Sequence, residues 1–343
     1  MTNTMMPLDR NESYWLLDGE LVEAARAPGA RELSTYPDYG ELKDALATYA
    51  GVAPEQVLPT SGSVAAIEHI ARAYAVGKEA VLPVPTFYSY ESILESAGAK
   101  IVPILYEEQD GQFVFPREKT AEALASGTAQ VLFLCHPNNP LGCSMSDDDV
   151  RAIAEAARGS KTLIVSDEAY FEFSSGTSFL PYLSELPNLI VIRTLSKSFA
   201  LSGARVGYVI AAPEVVKEIG KVMLPWTVAY PSMTAAIALL AQAEKVRRRR
   251  EAVIEAREDF IRALRTMPDI EVYPSETNFV LVRVPDAVRV RDALRKSDIR
   301  VALGELMSRV PGARALLKDT LRIAIPAPEA ERPFREALER SLH

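Results

Sequence analysis

From about residue 55 to about residue 245, short runs of consecutive apolar residues alternate with segments whose apolar positions recur at helical spacing. An unbroken apolar run suits a strand buried on both faces, and its alternation with helices predicts a largely parallel sheet covered by helices, an α/β class. The clearest strands are Val131 to Cys135, Thr162 to Ser166 and Leu189 to Thr194. Past about residue 250 the pattern changes to one long helix, then EVYPSETNFVLVRV, a helix-like AVRVRDALRKS and the strand-like TLRIAIP, Thr320 to Pro326. This predicts a second, smaller α+β domain.

Each of the three strands runs straight into polar residues, and in doubly wound sheets the ligand crevice lies beyond the carboxyl ends of the strands. The first exit, CHPNNPLG, carries Asn139 in a stretch rich in turn residues. At the second, SDEAYFEF, Asp167 directly follows the strand, with Glu168 beside it and Tyr170 three residues on. A carboxylate buried there needs a cationic or hydrogen-bonding partner. The third exit, TLSKSFALSGARVGY, sets Lys197 between Ser196 and Ser198 and ends with Arg205. Upstream, Ser61, Gly62 and Ser63 open a helix whose Val64, Ile67, Ala71 and Tyr74 share one stripe, with Gly77 past its end. Free N–H groups at such a start make a seat for phosphate. In PVPTFYSYES, Phe87, Tyr88 and Tyr90 offer a flat stacking face or core aromatics.

Composition removes several classes of function. The chain has 343 residues, 48% hydrophobic and 24% charged, and reads as a globular protein with one or two cores. Its 38 basic and 46 acidic residues give a net charge of −8, which argues against nucleic acid and anionic membranes as partners. The basic run at Arg247 to Arg250 is followed by acids at helical spacing and reads as a solvated helix face, with Val246, Val253 and Ile254 inward. No stretch approaches a membrane span and the N-terminus has no signal-peptide pattern, so a cytoplasmic location is expected. Cys135 and Cys143 have no metal-ligand company at zinc spacing and read as small residues near a core. A hydrolase triad, a dinucleotide fingerprint and a Walker sequence are all missing. What remains is a lysine nucleophile, a carboxylate and hydroxyls delivered to one crevice.

In order along the chain, YPDYGELKDALATYAGVAPEQVLPTSGS, PTFYSY, CHPNNPLG, SDEAYFEF, RTLSKSFALSGARVGY, ETNFVLVR and LRIAIP resemble the fold-type I aminotransferases that use pyridoxal 5'-phosphate (PLP), most of all the histidinol-phosphate aminotransferase family. The resemblance implies an N-terminal segment, 1–33, packing with the small domain, a large PLP-binding domain at 34–246 and a small domain at 247–343. It implies that Lys197 holds the cofactor covalently and acts as the base, that Asp167 pairs with the ring nitrogen, and that Asn139 and Tyr170 donate to the ring oxygen. Phe87 falls where the family stacks a ring, and Ser63, Val64, Ser196 and Arg205 fall at the phosphate seat. Tyr36 matches a tyrosine that reaches the phosphate from the neighbouring subunit, which implies a homodimer with shared sites. Arg322, with Asn139 and Tyr14, is the implied substrate-binding set.

The implied activity is ping-pong transfer of an amino group between an amino acid or histidinol-phosphate-like amine and a 2-oxo acid such as 2-oxoglutarate. The alternatives are a decarboxylase of the threonine-phosphate type, which shares nearly every cofactor residue, and a non-catalytic PLP-binding regulator. Two departures bear on the donor: Ser13 stands where relatives carry a tyrosine, and Ala302 where histidinol-phosphate enzymes carry an arginine. They predict that an amino acid with a free carboxylate reacts faster than histidinol phosphate, with Tyr14, Trp15 or Trp226 lining an apolar pocket.

Overall fold

The computed structural model describes residues 5–13, 15, 17, 19–25 and 29–343. Seven strands build the central sheet: β1 (Val57–Thr60), β2 (Glu79–Val84), β3 (Lys100–Leu105), β4 (Val131–Cys135), β5 (Leu163–Asp167), β6 (Leu189–Thr194) and β7 (Gly207–Ala211). Their spatial order is β1-β7-β6-β5-β4-β2-β3. β7 runs antiparallel to both its neighbours, and the other adjacent pairs are parallel.

Every residue of β4, β5, β6 and β7 is buried, which is why these strands read as largely apolar runs. Successive side chains point to opposite faces. Leu132, Leu134, Ile164 and Val191 join one core, and Val131, Phe133, Val165 and Ile190 the other. β5 ends one residue later than its apolar run predicts. Asp167 belongs to the strand, because its carbonyl still accepts from His136 N–H at 2.9 Å and the ladder is indifferent to side-chain polarity.

α1 (Gly19–Ala25) lies against α3 (Tyr230–Leu240), with Leu21 in the large core. α2 (Ser63–Ile70) starts at the edge of the crevice and widens into a π turn over Ala71–Ala75. Of its expected stripe, Ile67 and Ala71 enter the core and Tyr74 packs on it. Val64 does not: it is 36% exposed, one turn too early to meet the sheet.

α4 (Ala243–Leu264) leads into the smaller domain, burying Val246, Val253, Phe260 and Leu264. On its outer face Arg247 pairs with Glu244 and Glu251, and Arg248 with Glu244. Four antiparallel strands follow, β8 (Glu271–Val272), β9 (Phe279–Arg283), β10 (Ala302–Leu303) and β11 (Thr320–Ala324), in the order β8-β9-β11-β10. They pack with α4, α5 (Ala287–Lys296) and α6 (Pro328–Leu342) around Val282, Val290, Ile323 and Phe334.

Several ties fix the small domain beside the crevice, those of Glu276, Arg283 and Met6 among them. Glu276 N–H donates to Gly142 carbonyl at 2.8 Å, Arg283 pairs with Glu108 at 2.8 Å, and Met6–Pro7 runs parallel to Ile299–Arg300. The last tie carries residues 8–13 across the ends of the strands.

Candidate active site

The carboxyl ends of β4, β5 and β6, the start of α2 and the segment after Leu8 enclose a cleft of about 350 Å³. Lys197, three residues past β6, reaches its floor. Its Nζ donates to the carbonyls of Arg10 at 3.0 Å and Asn11 at 3.1 Å, and lies 5.6 Å from the centre of the Tyr170 ring. Burial pushes its pKa down to about 7, helped by the positive charges of Arg322 and Arg205 and opposed by Glu12. A large share of the amine is thus neutral at physiological pH, as a nucleophile requires.

Asp167, at the end of β5, is buried and lines the same cleft. Tyr90 Oη donates to its Oδ2 at 2.6 Å and Ala169 N–H to its Oδ1 at 3.1 Å. Burial nevertheless raises its pKa to about 6, because two neutral donors do not offset the loss of water.

Beyond β5, the Tyr170 hydroxyl accepts from Asn11 Nδ2 at 3.0 Å and Asn139 Nδ2 at 3.3 Å. Burial pushes this phenol up to about 12, against the pull of Arg322. Asn139 also accepts from Arg322 Nη1 at 2.6 Å, so one amide links the β4 exit to β11. Arg322 donates again to Asp9 carbonyl at 2.5 Å and lies over the Phe279 ring, while its buried Nε has no partner among the described residues. This arginine is buried, not on the surface.

At the other end of the cleft Arg205 Nη1 donates to Ser196 Oγ at 3.3 Å and Ser202 carbonyl at 3.0 Å. Thr194 Oγ1 donates to Ser196 Oγ at 3.0 Å. Gly62 precedes α2 at φ 80°, and a Cβ there would collide with the Arg205 guanidinium. A Cβ at Gly207 would come within 2.6 Å of the Gly62 and Ser63 backbone, so two glycines let the start of α2 close on β7 beside the cation.

Ser63, Val64 and Phe87 also line the cleft. Tyr36 does not: it is 75% exposed and stacks on Trp226 with ring centres 4.4 Å apart. Tyr14 lies outside the described residues. Of the other aromatics expected near the donor, Trp15 packs on the small-domain core, and Trp226 stands at that outer stack instead of in the cleft of its own chain. Ser13 turns inward and accepts from Asn278 Nδ2 at 2.9 Å.

Several contributors escaped the sequence. Tyr90 was visible only as one of three aromatics, and Asn11 and Arg10 carried no signal, because their partners lie far away in the chain; Thr194, two residues from its partner Ser196, read only as the end of an apolar run.

A largely parallel sheet whose strand ends deliver a low-pKa lysine and a buried carboxylate to one cleft, met there by Arg205 from the loop before β7 and Arg322 from β11, defines an α/β enzyme of lysine chemistry. The family model "Aminotransferase class I and II" matches residues 4–340. The histidinol-phosphate aminotransferase of Caldanaerobacter subterraneus subsp. tengcongensis is 33% identical over 339 residues, covering 98% of this chain and 92% of that relative. The structure of histidinol-phosphate aminotransferase from Sinorhizobium meliloti in complex with pyridoxal-5'-phosphate aligns with a TM-score of 0.86 at 24% identity, over 99% of this chain and 91% of that one. L-threonine-O-3-phosphate decarboxylase from Porphyromonas gingivalis shares the fold at a TM-score of 0.77 and 22% identity, over 98% and 99% of the two chains. The chain belongs to the class I and II aminotransferases and has their fold-type I architecture. No helix among the described residues is long and apolar enough to cross a membrane.

Proposed function

We propose that this aminotransferase works with pyridoxal 5'-phosphate held by Lys197, exchanging an amino group between an amine donor and a 2-oxo acid. The observation that carries the reading is that the near-neutral Lys197 amine and the buried Asp167 carboxyl share one cleft with the Arg205–Ser196 pair. The residues fit such a group. Asp167 has no ion-pair partner among the described residues, as suits a carboxylate that meets a protonated ring nitrogen. The glycine-lined start of α2 beside Arg205 suits a phosphate.

When bound, the cofactor supplies an electron sink and a carrier for the amino group. Asp167 would keep the ring nitrogen protonated, and Phe87 would cover one ring face. Asn139 and Tyr170 would orient the ring through its oxygen, while Ser63, Val64, Ser196 and Arg205 would anchor the phosphate. Lys197 Nζ would take the proton from the donor's α-carbon, a task matched to a base that titrates near neutrality. Arg322 would hold the donor's anionic group through its guanidinium, whose Nε is still unpartnered. Bounds of 34–246 for the cofactor domain and 247–343 for the small domain, with 1–33 as an N-terminal segment, divide the chain in keeping with this site. Tyr36, exposed and outside its own cleft, suits a homodimer in which each subunit completes the other's phosphate seat.

Borohydride reduction of the PLP-loaded protein followed by peptide mass spectrometry tests the reading. The cofactor mass should fall on the peptide containing Lys197, and a label on another lysine would reject the assignment.

A further inference from the structure

We infer that Tyr88 and Glu12 select the donor's side chain, forming an aromatic wall and a hydrogen-bond acceptor for a planar ring that carries an N–H or O–H. This deepens the aminotransferase reading and rests on it for the donor's orientation, with its anionic group on Arg322 and its amine at Lys197.

Tyr88 lines the cleft yet remains 54% exposed, edge-on to Phe87 with ring centres 5.1 Å apart at 67°. It stands close enough to Arg322 for its phenol to bear on the guanidinium's titration. Val64, 36% exposed, adds a second apolar surface to the same cleft. Cores absorb such side chains when they can, so an aromatic and a valine left open inside a cleft mark a place for an apolar ligand group. A donor anchored on Arg322 sends its side chain past Tyr88.

Glu12 enters the cleft from the N-terminal segment. Among the described residues its half-buried carboxylate has no hydrogen-bond or ion-pair partner, although its charge reaches Lys197. Both neighbours in sequence are pinned. Asn11 donates to Tyr170 and its carbonyl accepts from Lys197 and Asn278, and Ser13 accepts from Asn278. The backbone at Glu12 is therefore fixed, and its carboxylate is an acceptor held at the cleft without a donor of its own. A ring N–H or O–H supplies that donor as a charge-assisted bond. Phenol, imidazole and indole side chains all qualify, whereas aliphatic chains satisfy neither element.

The test uses unreactive carboxylates, so that no amino transfer is involved: equilibrium binding of 3-phenylpropionate, 3-(4-hydroxyphenyl)propionate and propionate to the PLP-loaded protein. The hydroxyphenyl acid should bind about tenfold more tightly than the phenyl acid, and Glu12→Gln should shrink that gap to about twofold. Tyr88→Ala should weaken both ring acids about tenfold and leave propionate unchanged. Equal binding of the two ring acids by the parent protein, an intact gap in Glu12→Gln, or an equal loss of propionate in Tyr88→Ala would each overturn the inference. If the ring preference is present but no donor amine is turned over, the pocket stands and the aminotransferase reading falls.

Discussion

Tyr90 Oη donates to Asp167 Oδ2 at 2.6 Å across 77 residues of sequence, joining the helix Ser89–Ser96 that follows β2 to the end of β5. This bond stabilises the charged form of a carboxyl that burial pushes toward its neutral form. A hydrogen bond to a charged group is typically worth about 1.5–3 kcal/mol, or about one to two pH units. Tyr90→Phe should raise the Asp167 pKa in cofactor-free protein by that amount, read from its carboxyl carbon shift in a pH titration. An unchanged titration would show that Ala169 N–H holds the carboxylate alone.

The same carboxyl makes a prediction about stability. Its folded pKa of about 6 lies above the ordinary value, so the stabilisation it gives is complete below about pH 4 and is lost as pH rises through about 6. Asp167→Asn removes that loss. The cofactor-free variant should melt higher than the parent at pH 8, with the gain vanishing near pH 4, while PLP affinity falls. Calorimetry at the two pH values checks this, and a variant that melts lower at pH 8 contradicts it.

Lys197 must be neutral to capture an aldehyde. With a pKa of about 7, the capture of PLP by cofactor-free protein should accelerate about tenfold per unit below pH 7 and level off above it. Stopped-flow absorbance follows the reaction. A rate still rising at pH 9 would mean that burial does not shift this amine.

Tyr36 stacks on Trp226 at the surface, outside its own cleft, so any part it takes in the proposed phosphate seat would need a second subunit. Mixing Lys197→Ala with Tyr36→Ala protomers should restore one working site per heterodimer, because the intact tyrosine of the first completes the intact lysine of the second. Heterodimers without regained activity would argue that Tyr36 acts within its own chain.

Ala302 pairs with Arg322 in strand register, so the position across the ladder from this arginine carries a small neutral side chain. With Ser13 committed to Asn278, neither position adds a cation or a phenol for a distal phosphate. An amino acid with a free carboxylate should therefore reduce the bound cofactor faster than histidinol phosphate, by about tenfold for one missing charge-assisted bond. Single half-reactions followed by absorbance decide it. A preference for histidinol phosphate reverses the expectation and points to another cation in the cleft.

What the sequence determined by itself is the sheet and the identity of the chemistry. Val131–Cys135 and Leu189–Thr194 emerge at the residues their runs mark, because a strand buried on both faces is built mostly of apolar residues. The residues beyond those runs had to meet at one crevice once the sheet was parallel, which is why Lys197, Asp167, Asn139 and Arg205 were readable as a set. Only the tertiary structure decided what surrounds them. Val64 has the spacing of a core residue but opens onto the cleft, since a helix's first turn lies beyond the sheet it later packs against. The hydrogen-bond partners of the two central groups, Tyr90 on Asp167 and the carbonyls of Arg10 and Asn11 on Lys197, come from segments 77, 187 and 186 residues away. Such bonds leave no periodic trace, because a single side chain or a backbone carbonyl brought near by folding has no pattern for a sequence to display.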